Sequence, residues 1–229
     1  SDNLHYHFIG IGGIGMSGIA KVLINRQFSV SGSDVLNNDQ TKKLYSNGAT
    51  IFNNQNQKNI DTILKKFPNK KIIAVISSAI KKNNIELRYC IEKKITIRHR
   101  SEILSMIMNN YQSIGVAGTH GKTSTSTFLF TLLDLCTNNA SGIIGGILPN
   151  YDNNSFIRDT KYFVAELDES DGSISNYKIN LGILNNIDYD HCDYYKNIEE
   201  MIKSFKLFEN NSKKLLVKGE INILIGTHS

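Results

Sequence analysis

Apolar and polar positions along this chain fall into blocks whose period switches repeatedly. The opening "HYHFIGIGGIG" reads as a strand running into glycines, and "MSGIAKVLINRQ" follows with Ile19, Val22 and Leu23 on one helical face. "FSVSGSD" is predicted as a second strand, and "TKKLYSNGAT" as a helix closed by Gly48. The start of "IIAVISSAI" is apolar and mostly β-branched, the composition of a parallel strand buried on both faces. "NIELRYCIEKK" is predicted helical, "ITIRHR" a short strand, and "SEILSMIMNNY" a helix introduced by Ser101 and Glu102. Strands alternating with helices predict an α/β fold, a parallel sheet wrapped on both faces.

The pattern then restarts. "YQSIGVAG" is a strand and "KTSTSTFLFTLLDLC" a long helix. "KYFVAELDES" and "INLGILNNID" are apolar strands, each ending in acids or amides. An amphipathic helix, "NIEEMIKSFKLFENN", and a strand, "KKLLVKG", come next. The boundary is placed near residues 108–112, giving units 1–109 and 110–229. No Pro-rich or Gly-rich linker separates them, so the units are expected to pack closely. After "INILIGTHS" no further helix follows, and the second unit reads as cut short, with few strands.

Composition changes little in this picture. Hydrophobic residues at 40% and charged residues at 21% suit a soluble globular chain. The net charge of +5 comes largely from lysines scattered in pairs, which describes a solvated basic surface rather than a nucleic-acid groove. No apolar run approaches the roughly 18 residues of a membrane span. Cys90, Cys136 and Cys192 form no CxxC pair, and the N-terminus lacks the regions of a signal peptide. A cytoplasmic protein with no membrane insertion and no nucleic-acid partner is expected.

Two glycine turns carry the candidate chemistry. Gly10, Gly12 and Gly15 form G-x-G-x-x-G between a strand and a helix, where backbone amides and the helix N-terminus favour a diphosphate. Asp34 ends the next strand, about 20 residues further on, where an acid meets a ribose hydroxyl. This motif does not separate NAD, FAD and a nucleotide-sugar. The second turn, "GTHGKT", departs from the strict P-loop because Val116 stands where a glycine is required. The physical roles survive: Gly118, Thr119, His120 and Gly121 offer amides, Lys122 reaches terminal phosphates, and Thr123 can ligate Mg²⁺. Glu166 and His191 each follow an apolar strand and are candidate metal ligands, directly or through water. Asp168, Glu169 and Asp171 crowd the same tip as Glu166, and each taken alone reads as part of a solvated acidic turn.

"HFIGIGGIGMSGIA" with "VSGSD", then "GTHGKT", "ELDESD" and "NNIDYDH" in this order, resembles the Mur ligase family as far as about Lys214. The first loop is most similar to the alanine-adding branch. The resemblance implies a Rossmann-like UDP-sugar domain followed by a P-loop-type α/β ATP-binding domain. It implies ATP and Mg²⁺ (or Mn²⁺), with UDP-N-acetylmuramate and L-alanine as the partners joined through an acyl phosphate. By the same resemblance Lys122 and His191 are catalytic, and residues 118–123 with Ser124 bind ATP. Thr123, Glu166 and His191 hold the metal. Gly12, Gly13, Ser17, Ser33, Asp34, Ser77, Ser78, Ala79, Arg100, Glu102 and Asn186 line the sugar-nucleotide site. The family carries a longer middle domain and a third, C-terminal domain, neither of which is expected in this chain, so it is expected to be inactive alone. Rival readings are a sister ligase that adds a recycled peptide, a non-catalytic UDP-sugar-binding homologue, and an NAD-dependent dehydrogenase that leaves "GTHGKT" unexplained.

Overall fold

In the computed structural model, residues 3–137, 139–148, 153–158, 160–170, 172–188 and 195–217 are described. The chain divides into two compact units, Ser1–Ile103 and Leu104–Ser229, a division several residues before the boundary placed from the sequence.

Unit 1 begins with β1 (Leu4–Ile9), α1 (Ile14–Asn25), β2 (Ser29–Ser33), α2 (Asp39–Ser46), β3 (Thr50–Phe52) and α3 (Gln57–Lys66). It continues with β4 (Lys71–Ile76), α4 (Ile85–Glu92), β5 (Thr96–His99) and the start of α5 (Arg100–Met108). The five strands are parallel in the order β3-β2-β1-β4-β5. The order reverses between β1 and β4, and at such a switch point ligands sit beyond the carboxyl ends of the strands. Ile9, Ala74 and Ile72 pack with Ile60, Ile63, Leu87 and Cys90 as one buried cluster.

Asparagines start most of the helices. Asn38, Asn56 and Asn84 cap α2, α3 and α4 through side-chain oxygens that accept amides of the first turn. At the start of α1 stands Gly13, which makes no side-chain cap. Gly48, at φ +95°, closes α2 as expected.

A file of polar side chains crosses the buried face of this sheet. His5 Nδ1 meets Ser29 Oγ at 2.7 Å, and His5 Nε2 meets Ser31 Oγ at 2.7 Å. Ser31 Oγ lies 2.8 Å from His7 Nδ1, and His7 Nε2 bonds to Glu86 Oε1. The other Glu86 oxygen accepts from the Asn56 amide (3.1 Å) and Asn59 Nδ2 (3.0 Å). Every member of this buried file is therefore bonded, as buried polar groups must be. His5 also stacks on Phe67 at 4.2 Å.

Unit 2 contains β6 (Gln112–Ala117), α6 (Lys122–Thr137), β7 (Ser141–Leu148) and β8 (Asn153–Phe156). Then come β9 (Tyr162–Glu166), β10 (Ile179–Leu184), α7 (Ile198–Asn210) and β11 (Ser212–Val217). Its sheet has six strands in the order β11-β10-β6-β9-β7-β8, so the expectation of few strands is corrected. Its pairings are parallel except at one edge, where β8 runs antiparallel to β7. α6 covers this side of the sheet, and Phe130 packs with Ala140, Ile144, Phe156 and Val164.

Burial, with the charges of His7, Lys70 and Lys66 adding to it, pulls the His5 pKa down from 6.5 to about 3. Between those values the unfolded chain binds a proton that the folded chain refuses, so stability falls as pH falls, by at most about 1.4 kcal/mol per pH unit. Urea unfolding between pH 6.5 and 5 should show this slope. His5→Asn should be less stable at pH 7 but flatter across the window, and an unchanged slope would contradict the assignment.

Candidate functional site

The first glycine turn is lashed to the end of β2. Gly10 turns at φ +84°, and the amides of Gly10 and Ile11 donate to Ser33 O at 2.8 and 3.0 Å. Gly12 donates its amide to Asp34 Oδ2 at 2.7 Å. A Cβ on Gly12 would stand 2.8 Å from that oxygen, so only glycine lets the carboxylate enter the turn. Asn38 Nδ2 holds the same residue from its carbonyl at 3.0 Å. Ser17 is buried and donates to Ile14 O at 3.0 Å. The Ser33 hydroxyl is buried with no partner among the described residues.

Two more segments reach this turn from β4 and β5. A Cβ on Gly15 would stand 2.8 Å from Arg100 Nη1, so the third glycine makes room for a guanidinium. Ile80, closing the turn that holds Ser77, Ser78 and Ala79, lies 3.2 Å from the Cβ position of Gly10. Ser78 Oγ lies 3.0 Å from His99 Nε2, a histidine that sequence reasoning passed over. Glu102 accepts the His99 amide at 2.7 Å and pairs with Arg98 at 3.2 Å, so its visible work is to cap α5 beside Arg100.

The second turn is built by β6, α6 and the two asparagines after β10. Gly118 and Gly121 adopt φ +137° and +78°, which favour glycine. The Asn186 carbonyl accepts the Thr119 amide at 3.2 Å, and Asn186 Oδ1 accepts the His120 amide at 2.8 Å. Asn186 Nδ2 returns a bond to His120 O at 3.1 Å. Asn185 donates its amide to Ala117 O (3.1 Å) and its Nδ2 to Thr125 Oγ1 (2.9 Å). A Cβ on Gly118 would come within 3.0 Å of Asn185 Cβ. Thr119 Oγ1 accepts the Asp188 amide at 2.9 Å, and His120 faces Asp188 at 3.4 Å, well exposed.

Lys122 opens α6, and its Nζ donates to Gly118 O (2.7 Å) and Glu169 Oε1 (2.9 Å). Thr123 Oγ1 lies 3.1 and 3.0 Å from the two oxygens of Glu166. Glu166 is held from behind by the Gly145 amide at 2.8 Å, and a Cβ on Gly145 would collide with its carboxylate. The "GG" inside the apolar "SGIIGGIL" was the available signal for this close approach. Ser124 is exposed on the first turn of α6. Asp168 folds back on its own turn, accepting from the Ser170 amide and hydroxyl at 3.0 and 2.7 Å. His191 and Asp171 lie outside the described residues.

Among the described residues no three His, Cys, Asp or Glu side chains gather as a metal site. Thr123 and Glu166 do offer adjacent hard oxygen donors, the type that suits Mg²⁺ or Mn²⁺ with retained water. No helix among the described residues is long and apolar enough to cross a membrane.

Two α/β units, each with a glycine turn at the carboxyl end of a central strand, define the class of this protein. Residues 5–112 match the model described as Mur ligase family, catalytic domain, and residues 116–222 match the Mur ligase middle domain. The chain belongs to the Mur ligase family. It is 58% identical over 213 residues to UDP-N-acetylmuramate–L-alanine ligase of Prochlorococcus marinus subsp. pastoris, covering 93% of this chain and 45% of that one. The chain thus spans less than half the length of that relative. In fold it resembles UDP-N-acetylmuramate-alanine ligase of Thermotoga maritima (TM-score 0.82, 24% identity, covering 95% of this chain and 49% of that one). It also resembles UDP-N-acetylmuramate:L-alanyl-gamma-D-glutamyl-meso-diaminopimelate ligase of Neisseria meningitides (TM-score 0.84, 24% identity, covering 94% and 71%).

Asn186→Ala removes both side-chain bonds to His120, at about 0.5–1.5 kcal/mol each. The variant should lose about 1–3 kcal/mol of unit 2 stability, and the His120 amide should exchange with solvent at least about tenfold faster. Unchanged exchange at His120 would show that the loop holds itself.

Proposed function

We propose that this chain carries the sugar-nucleotide and ATP sites of a cytoplasmic enzyme that joins L-alanine to UDP-N-acetylmuramate in peptidoglycan precursor synthesis. The observation that carries the reading is the second turn: Lys122, Thr123 and Glu166 converge there, with Thr123 3.0 Å from Glu166. The 58% identity to a ligase of that name supports the choice of substrates.

In unit 1, the amides of Gly12 and Gly13 and the uncapped start of α1 receive the diphosphate. The Gly12 amide already holds an anionic oxygen, that of Asp34, at 2.7 Å. Asp34 then turns to the ribose hydroxyls, and Arg100 adds the positive charge beside Gly15. Ser17, Ser33 and Ser77–Ala79 line the same turn. Glu102 and Asn186 were expected to touch the sugar-nucleotide. Their bonds fit an indirect part better, Glu102 holding the corner of Arg100 and Asn186 holding the phosphate loop.

In unit 2, the amides from Gly118 to Gly121 cradle the ATP phosphates, with Ser124 at the start of the following helix. Lys122 neutralises the β- and γ-phosphates, and Thr123 with Glu166, joined by His191, holds the divalent cation. The cation supplies charge neutralisation at the transferred phosphoryl group when bound. A carboxylate oxygen of the muramate attacks the γ-phosphorus and ADP leaves. The amine of alanine then attacks the acyl carbon, phosphate leaves, and the nitrogen gives up its proton. The chain's own residues contribute position and charge, which is most of what phosphoryl transfer asks of a protein.

Calorimetric titration of the chain tests the reading. UDP-N-acetylmuramate should bind saturably, and Asp34→Ala or Gly12→Val should abolish it while leaving ADP with Mg²⁺ unaffected. Lys122→Ala should weaken ADP by about 10- to 100-fold, the equivalent of a charge-assisted bond of 1.5–3 kcal/mol, while leaving the sugar-nucleotide unaffected. Binding of NADH in place of the sugar-nucleotide would overturn the reading.

A further inference from the structure

Glu169 is one of the acids of "ELDESD" that the proposed chemistry leaves unused. It is 8% exposed, although its neighbours in sequence are polar. Its main chain is pinned on two sides. The Tyr195 hydroxyl donates to the Glu169 carbonyl at 2.8 Å, and the Gly172 amide donates to the same oxygen at 3.2 Å. One carboxylate oxygen takes the Lys122 ammonium at 2.9 Å, and the other is buried with no partner among the described residues. Burial pushes the carboxyl above the usual carboxylate range, while the Lys122 charge and hydrogen bond oppose that shift. An enclosed carboxylate with one oxygen unsatisfied costs stability, and the ion pair with Lys122 is what offsets that cost.

The same pair looks different from the lysine. An ammonium has three N–H donors. In Lys122 one goes to Gly118 O and one to Glu169, which leaves one for a ligand. The side chain is 18% exposed, against 10% for that of Glu169. A lysine stem left loose at this point would have to be ordered by the ligand, at a cost in rotamer entropy. Ordering it beforehand removes that cost from binding.

We propose that Glu169 is a positioning residue for Lys122: its carboxylate and the Gly118 carbonyl hold the ammonium over the phosphate loop, with one N–H kept for a phosphate oxygen. The clamp itself is a property of the ligand-free chain. Only the identity of the phosphate compound rests on the function proposed above.

The test reads the clamp without nucleotide and then with it. Lys122 is acylated in the ligand-free chain by an amine-reactive ester, and the rate is followed by mass spectrometry. The wild type and Glu169→Gln, which keeps an oxygen for the ammonium, should react slowly. Glu169→Ala and Glu169→Asn, whose side chains are absent or too short, should react at least tenfold faster. In parallel, ADP with Mg²⁺ is titrated calorimetrically. Ala and Asn should weaken binding about tenfold, and Gln should restore it to within about threefold, a rescue that a merely structural role would not give. Circular dichroism checks folding, and if the Ala variant is unfolded the decision passes to Asn and Gln. Equal acylation rates in all four proteins overturn the proposal. So does tighter ADP binding in both Ala and Gln, which would make Glu169 a competing counter-charge. The predicted acylation pattern in a chain that binds no ADP supports the clamp and overturns the nucleotide reading instead.

Discussion

Two asparagines after β10 hold the second glycine turn, and the rest of unit 2 is arranged around what they fix. Asn185 and Asn186 bond to Ala117, Thr119, His120 and Thr125, residues on both sides of the turn. Gly118 must be glycine because a Cβ there would stand 3.1 and 3.2 Å from the backbone N and O of Asn186 and 3.0 Å from Asn185 Cβ, at a φ of +137°. A turn held from outside keeps its shape without a ligand, so the phosphate proposed to bind there would require no reorganisation of its amides. The Lys122 ammonium is held at the turn by the Gly118 carbonyl and the Glu169 carboxylate. Thr123 and Glu166 follow from the start of α6 and the end of β9, two points that sheet register brings together.

Unit 1 solves the same problem differently. Its turn is tied to β2 through the Ser33 carbonyl and through Asp34, whose carboxylate enters the turn itself. The start of α1 at Gly13, which has no side chain to cap it, contrasts with the asparagine caps on α2, α3 and α4. Below the turn, the file from Ser29 to Glu86 joins β1 and β2 to α4 and the start of α3. That file lets two histidines lie wholly inside a sheet that would otherwise need apolar residues there.

Much of this was legible in the sequence because it depends on local order. A strand, a glycine turn and a helix in succession fixed the positions of both loops, and β-branched runs marked the central strands. What was missed had weak local signals. The strand β3 is three residues long, and α3 carries only Ile60 and Ile63 as buried apolar anchors among lysines and amides. The β7–β8 hairpin hides behind glycines in one strand and "NNSF" in the other, yet Asn154 and Ser155 are buried. Glu169 was unreadable for another reason. Its ion-pair partner is Lys122, far away in the chain, and nothing in "DESD" distinguishes it from the half-buried Asp168 or the exposed Ser170. Asn186 was noticed, but its partners were not, because hydrogen bonds to a distant backbone leave no periodicity behind.

The central claim is that the two glycine turns serve two different phosphate ligands. Hydrogen exchange with mass spectrometry, run on the chain with each ligand separately, tests it most directly. UDP-N-acetylmuramate should protect the segment from Gly10 to Ser17 together with Ser33–Leu36, and leave Gly118–Thr125 unchanged. ATP with Mg²⁺ should protect Gly118–Thr125 and leave the first turn unchanged. Protection of one and the same turn by both ligands, or of neither turn by ATP, would contradict the account.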